Sequence, residues 1–251
     1  MSDYQSNIFY ISVQAWRADN ELKTDPRWYG YETPPTSNAN YGWILNIVSK
    51  LSANGVAGFL LANGALSGDG TELNIRRQLL QNHIVEAIVI LPRNMFYSTD
   101  ISVTLWILNN NKKARTVEQN GKLIKYRNRE KEVLFIDLRQ WGEPFEKKYI
   151  QFSQEQITDI AQNFHNWQQE GYEKTYKNIP EYCYSATLNE IEQKGWSLVP
   201  SKYIEFKNRD EQIDFDARMR ELQSELSDLL KQEEESKAEL KALFDKLGYR
   251  L

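Results

Sequence analysis

Cysteine and histidine are nearly absent from this chain. Cys183 stands alone, and His83 and His165 lie far apart. A lone thiol excludes an internal disulfide and suits a reducing compartment, and ligand residues so few and so separated do not make a zinc site. No metal is expected. Long apolar runs are missing as well: none approaches the roughly 20 residues that span a bilayer. No basic stretch leads into an apolar one at the N-terminus, so no signal peptide or membrane segment is read, and the expected location is cytoplasmic. Positive charge is not in excess either. Lys and Arg number 31 against 35 Asp and Glu, a net charge of -4, which argues against binding nucleic acid through bulk charge and leaves room only for a local patch. What the 251 residues do have is 41% hydrophobic content, enough for a sizeable core in one domain plus an appendage.

The first half can be assembled element by element. Ser37 or Asn38 can cap a helix whose apolar positions Tyr41, Ile44, Leu45, Val48 and Leu51 follow the 3.6 period, with Gly55 as its closing glycine. Residues 56–62 are a near-continuous apolar strand, the pattern of a parallel strand covered on both faces. Asn63-Gly64, Gly68 and Gly70 follow, at the strand end where a doubly wound sheet places ligands, and a helix is expected over residues 71–82. Residues 84–91 and 101–108 are two further strands, the first ended by Pro92. The loop between them is too short for a crossover helix, so the pair must be antiparallel.

Four stretches carry a family resemblance: DPRW (25–28), TPPTSNANYGWI (33–44), GVAGFLLANGAL (55–66) and ILPRNMFYSTDISVTLWIL (90–108). In this order and spacing the chain resembles the modification (M) subunit of type I restriction-modification systems, an adenine-specific DNA methyltransferase, from just after its catalytic motif to its C-terminus. The likeness is read from about Trp16 onward. It implies an α/β fold, the C-terminal half of a Rossmann-like methyltransferase sheet ending in an antiparallel hairpin, followed by a helical tail. The expected segments are a divergent N-terminus (1–15), a partial methyltransferase domain (16–150), a helical or irregular extension (151–206) and a heptad-patterned tail (207–251). S-adenosylmethionine is the cofactor at family level.

Two motifs of such enzymes have no match here. One is the glycine-rich F-x-G-x-G that holds S-adenosylmethionine. The other is Asn-Pro-Pro-Phe/Tyr, whose amide and proline carbonyl orient the adenine amino group while its ring stacks on the base. Where the second should lie the chain reads SNIFYISVQA, with Asn7 and no proline before Pro26. No catalytic residue is therefore assigned, and the chain is expected to be inactive alone. The reading is of a truncated or rearranged frame, or of one half of a protein whose upstream half is made separately. Either version would leave the 56–62 strand at an open edge, where residues 8–13, IFYISV, could pair as a replacement strand.

Candidate contact residues come from three places. Phe96 and Tyr97, with Thr99, match the family loop that borders the target-base pocket, since a flipped adenine needs apolar or aromatic walls; the alternative is that they cover the sheet edge. Residues 112–131 carry eight Lys or Arg against Glu118 and Glu130, a balance of +6, around a hairpin signal at Asn120-Gly121. Lys112, Lys113, Arg115, Lys122 and Lys125 are the candidate DNA-phosphate contacts, set against a merely solvated hairpin. Gly64, Gly68 and Gly70 could be taken for a phosphate cradle. Their spacing is not G-x-G-x-x-G and no P-loop lysine follows, so a plain strand-to-helix turn is the preferred reading.

Beyond these, residues 133–138 read as a strand, and residues 153–168 as a helix capped by Ser153 with Glu155 and Gln156 behind it. In the tail, Phe215, Met219, Leu222, Leu226, Leu229, Glu233, Ser236, Leu240, Leu243 and Leu247 keep alternating steps of four and three. This is a coiled-coil pattern that seeks a partner, or else a hairpin folded back on its own domain. The resemblance implies docking on the specificity (S) subunit, with the restriction (R) subunit as a further partner and DNA reached through the complex. Three function classes stand: a portion of an adenine DNA methyltransferase, a non-catalytic module docking on the S subunit, and an unrelated nucleotide-binding enzyme using the glycine turn.

Overall fold

The computed structural model describes residues 23–119, 121–206 and 215–248 of two compact units, Met1–Phe206 and Lys207–Leu251. The replacement strand expected over residues 8–13 lies outside the described residues.

Helix α1 (Asn40–Val48) forms where buried Tyr41, Ile44 and Leu45 recur at helical spacing. The N-cap position falls on Ala39, without a side-chain cap, rather than on Ser37 or Asn38; Asn38 instead accepts the Asn40 amide through its side-chain oxygen in a local turn at 3.0 Å. The helix stops at Val48 rather than at Gly55. The Ser49 amide reaches Leu45 and the Lys50 and Leu51 amides reach Ile47 and Val48, which tightens the last turn, and a separate turn joins the Gly55 amide to Ser52. Gly55 is needed for close approach: a Cβ there would lie 2.8 Å from the Ser52 nitrogen.

Strand β1 (Val56–Ala62) leads through helix α2 (Thr71–Gln81) to the hairpin of β2 (Val85–Ile90) and β3 (Val103–Asn109). The hairpin is antiparallel, as its short loop requires, but β3 inserts between the other two strands and pairs with both. β1 and β2 therefore run parallel without touching. β6 (Glu132–Asp137) adds parallel to β2, and β9 (Cys183–Thr187) adds antiparallel to β6, for a mixed five-stranded sheet in the order β1-β3-β2-β6-β9.

Two expectations are corrected here. β1 is not covered on both faces: it is an edge strand among the described residues, antiparallel to its one neighbour, with Val56 59% and Leu60 44% exposed. The stretch after residue 150 is not merely helical or irregular, because β9 completes the sheet begun before it. Long-range pairing decides both, and periodicity within one strand cannot report it.

One sheet face packs under α1, α2 and residues 188–206 around Trp106, which stacks on Phe59 with centroids 6.3 Å apart and meets the edge of Tyr41 at 6.5 Å. The other face packs under α3 (Gln154–Gln168), where Trp167 meets Leu134, Ile136 and Leu138. Ser153 closes the expected capping box with Gln156. Truncating a tryptophan buried this completely costs about 3–5 kcal/mol.

Two small hairpins project from this unit: β4 (Arg115–Gln119) with β5 (Lys122–Tyr126), and β7 (Glu143–Phe145) with β8 (Tyr149–Gln151). Helices α4 (Tyr172–Thr175) and α5 (Leu188–Gln193) complete it. The second unit is one helix, α6 (Phe215–Lys246), continuous through Glu233 and Ser236 rather than folded into a hairpin, and none of its side chains is buried. Its seam leucines stand open.

Candidate functional site

Three parallel strands, β1, β2 and β6, deliver their C-terminal ends to one rim of the sheet. There the turn after β1 (Asn63, Gly64, Leu66, Ser67), Ile90, Arg139 and residues 199–201 line a crevice of about 380 Å³. The Asn63 Oδ1 is buried without a hydrogen-bond partner. Arg139 is held over the end of β6 by buried Asp137, whose carboxylate accepts from its guanidinium at 2.6 and 3.0 Å and from its amide at 3.0 Å. That hydrogen-bonded pairing raises the arginine further above its ordinary range. The crevice thus offers an amide acceptor and a fixed cation, the inventory of a site for a polar or anionic group. Arg139 went unread in the sequence; the Asp-x-Arg spacing after a buried strand was its signal.

The glycine turn beside the crevice is packed rather than open. A Cβ at Gly68 would collide with the Glu72 carboxylate, so glycine is required there by close packing. Buried Arg76 ties the turn down, donating to the Gly68 carbonyl at 2.9 Å, the Tyr41 hydroxyl at 3.2 Å and the Trp196 carbonyl at 2.6 Å. Tyr41 in turn donates to the Ala65 carbonyl at 2.6 Å, and burial pushes its hydroxyl up to about 12. With Glu72 standing in the first turn of α2, the helix terminus presents a carboxylate where a phosphate would need bare amides. These contacts support the strand-to-helix turn over the phosphate cradle.

The aromatic loop divides its three candidates. Phe96 is half-buried against the α3 face and forms an isolated bridge with Thr99, whose amide donates to the Phe96 carbonyl at 3.3 Å. Tyr97 is 72% exposed and meets the edge of Tyr149 at 4.6 Å. The β7–β8 hairpin braces this loop, since the Ile150 amide donates to Asn94 at 3.0 Å and Lys148 pairs with Asp100 at 3.0 Å. Tyr149 is thus a member of this cluster that sequence reasoning missed. Only its left-handed turn at Glu146 and Lys147 distinguishes the segment locally, and neither residue type announces it.

The basic hairpin forms as expected, with Gln119 paired to Lys122 and Gly121 at φ +73°. Its charge is distributed differently from the expectation. Lys112 is buried at the root, donating to the Val85 carbonyl at 2.7 Å and the Glu132 carbonyl at 2.6 Å, and burial pulls it down to about 8. It is therefore withdrawn from any phosphate surface. Arg115 is half-buried, donates to the Asn111 carbonyl and lies over the Tyr126 ring at 5.4 Å. Lys113, Lys122 and Lys125 are exposed, Lys125 near Glu170 at 3.6 Å.

Two more cations of the same stretch are structural. Arg129 and Glu86 form an ion pair at 2.9 Å with both side chains fully buried, and Gln168 donates to the same Glu86 oxygen at 2.9 Å. Glu86 points inward because the β2–β3 register shifts between Val85 and Ala87, a bulge that turns one residue off the regular alternation. Arg127 chelates Glu132 at 2.9 and 2.8 Å and lies 3.7 Å from the Tyr172 ring centroid. Among the described residues no group of three or more His, Cys, Asp or Glu could hold a metal ion, and no helix is long and apolar enough to cross a membrane.

Against known proteins, the profile of the N-6 DNA methylase family matches residues 5–212. The chain belongs to the N-6 DNA methylase family. Within that family it is 35% identical to the HindI type I restriction enzyme methylase subunit of Haemophilus influenzae, over 99% of this chain and 52% of that protein. It is 32% identical to the MjaIX methylase subunit of Methanocaldococcus jannaschii, over 93% of this chain and 40% of that protein. The chain spans about half the length of these N-6 DNA methylase relatives, or less. A type I methyltransferase subunit from Streptococcus thermophilus shares the fold, with a TM-score of 0.60 at 23% identity over 74% of this chain and 34% of that one. The family match begins at residue 5, within the stretch expected to be divergent.

Proposed function

We propose that this chain is the C-terminal part of a type I DNA-adenine methyltransferase subunit and that its sheet is the far half of a methyltransferase sheet. One observation carries the reading: β3 runs antiparallel between two mutually parallel strands, and the C-terminal ends of β1, β2 and β6 lie on one rim, where a doubly wound sheet places its ligands. In this reading Phe96, Tyr97 and Thr99 wall the flipped adenine, with Tyr149 behind them. Lys113, Lys122 and Lys125 meet DNA phosphates, and the seam of α6 docks on the specificity subunit, the restriction subunit joining the same assembly.

The family cofactor, S-adenosylmethionine, would supply the methyl group. The described residues do not fit it as a cradle, because Glu72 fills the space over Gly68 and Arg76 locks the turn. The chain's own contribution is to position the base and to exclude water from it, and the isolated chain does not methylate. A second reading, a non-catalytic module docking on the specificity subunit, is favoured by the openness of the α6 seam.

Calorimetry with S-adenosylmethionine, on the chain alone and with its specificity subunit, tests both. Formation of a stable complex without donor binding is expected. Donor binding by the isolated chain would overturn the claim of inactivity, and failure to form the complex would remove the docking role.

A further inference from the structure

The crevice at the strand rim combines two hydrogen-bonding demands inside apolar walls, and we propose that it takes an unpaired guanine or cytosine base. This goes beyond the methyltransferase reading, which places adenine at the aromatic loop and leaves the crevice without an occupant. The walls are set before any ligand arrives. Buried Leu66, Ile90 and Pro200 line a space of about 380 Å³, within the range of small-molecule sites. The Leu198 amide donates to the Leu66 carbonyl at 2.9 Å, which holds residues 199–201 beside the turn after β1. The Leu138 amide donates to the Ile90 carbonyl at 2.9 Å, which ties together the ends of β2 and β6. A slot formed in advance spares a ligand the cost of ordering it.

The polar groups of the crevice want different things. Asp137 occupies the Nε–Nη2 edge of the Arg139 guanidinium, and the Phe206 ring centroid lies 5.8 Å from its central carbon, so the plane is fixed. What remains is the Nη1–Nη2 edge, two parallel N–H donors that no described residue uses, on a side chain 40% exposed. Asn63 supplies the opposite demand, because its Oδ1 is buried without a partner and an unpaired buried acceptor is costly. With no bond holding that oxygen in place, it can turn about χ2 toward a donor in the crevice.

A ligand that satisfies both presents two neighbouring acceptors and then a donor along one edge of a flat ring. Guanine does so with N7, O6 and N1–H, and cytosine with O2, N3 and its N4 amino group. Adenine and thymine do not. Adenine alternates N7, the N6 amino group and N1, and thymine alternates O4, N3–H and O2, so either would set a donor against the guanidinium. Guanine N1–H and cytosine N3 and N4 are engaged inside a duplex, so the occupant is an unpaired base, carried by a single strand or by a free nucleotide.

Calorimetric titration of the full chain with the four deoxynucleoside 5′-monophosphates tests the proposal, with inorganic phosphate as the control because the phosphate is common to all four. dGMP or dCMP should bind about tenfold or more tighter than dAMP and dTMP, the discrimination that one bidentate base contact supplies. Arg139→Lys keeps the charge but removes the fork, and should erase that preference. Asn63→Leu should weaken the preferred nucleotide about tenfold, with the urea transition of each variant reporting that it is folded. The single strand TTGTT, or TTCTT where dCMP is preferred, identifies the source: binding at least as tight as that of the nucleotide marks a nucleic acid, and weaker binding marks a free nucleotide. Equal binding of all four at the affinity of inorganic phosphate would reduce the crevice to an anion site and overturn the proposal. Tighter binding of dAMP, a preference that survives both substitutions, or no binding up to about 10 mM would do the same. None of these outcomes bears on methylation or on docking with the specificity subunit, so the two readings fail separately.

Discussion

At the root of the β4–β5 hairpin, Lys112 and Arg129 are buried and Arg127 nearly so, and each cation ends on named acceptors. Along α6 the reverse holds, for the leucines face outward and the charges beside them are exposed. Both stretches read in the sequence as contact surfaces, one for DNA and one for protein. In the first, much of the positive charge is taken up inside the fold, because a hairpin that leaves the sheet between β3 and β6 needs its base fixed. In the second, the apolar seam finds no partner within its own unit. A run of lysine and arginine thus reports a binding face only after the buried members have been subtracted, whereas a sustained heptad seam on a helix with no buried residue keeps its leucines outside the core of its own unit.

The contrast is most sharply broken at Glu86. Glu86→Ala leaves Arg129 charged and unpaired in the interior, and urea denaturation should show a drop in stability of about 3–5 kcal/mol. Replacing Glu86 and Arg129 together with leucine should cost much less, since the penalty is the orphaned charge rather than the missing attraction.

A smaller effect follows from Lys112. Its folded value of about 8 lies below the ordinary lysine value of 10.5, so between those pH values the unfolded chain binds more protons than the native one. Stability attributable to this group therefore rises as pH climbs through that window, by at most about 3 kcal/mol, and below pH 8 the full cost of burying the cation is present. Urea midpoints against pH should show the rise in the natural chain and lose it in Lys112→Met.

On the exposed side of the hairpin, Lys122→Glu with Lys125→Glu should lower the slope of log affinity against log salt for DNA, measured in the complex with the specificity subunit. The expected change is about 0.9 for each phosphate that is no longer neutralised. Lys112→Met should leave that slope unchanged, which separates the buried lysine from its exposed neighbours. The smallest effect is expected from deleting residues 207–251: the urea transition of the remaining unit should move by less than about 0.5 kcal/mol. A larger shift would mean that the two units do not fold independently.

Several elements were legible in the residues themselves. α3 was announced by Ser153 and Gln156, the β4–β5 hairpin by its asparagine-glycine turn, the antiparallel β2–β3 pair by a loop too short to cross over, and α6 by its heptads. The candidate site was legible in part. Phe96, Tyr97 and Thr99 were singled out because they match the family loop that borders the target-base pocket, but Tyr149 joins Tyr97 from a hairpin more than forty residues later in the chain. Asn63 and Arg139 meet at one crevice only because β1 and β6 are parallel strands of one sheet.

What the sequence by itself determined is local: helix spacing, caps, turns and the phase of the seam, all set by interactions within a few residues along the chain. Only the tertiary structure decided that β3 lies between β1 and β2, that Glu86 turns inward at a bulge to meet Arg129, and that Lys112 is buried while Lys122 is not. The physical reason is that strand pairing and the burial of a charge depend on partners distant in sequence, whose contribution no short window contains.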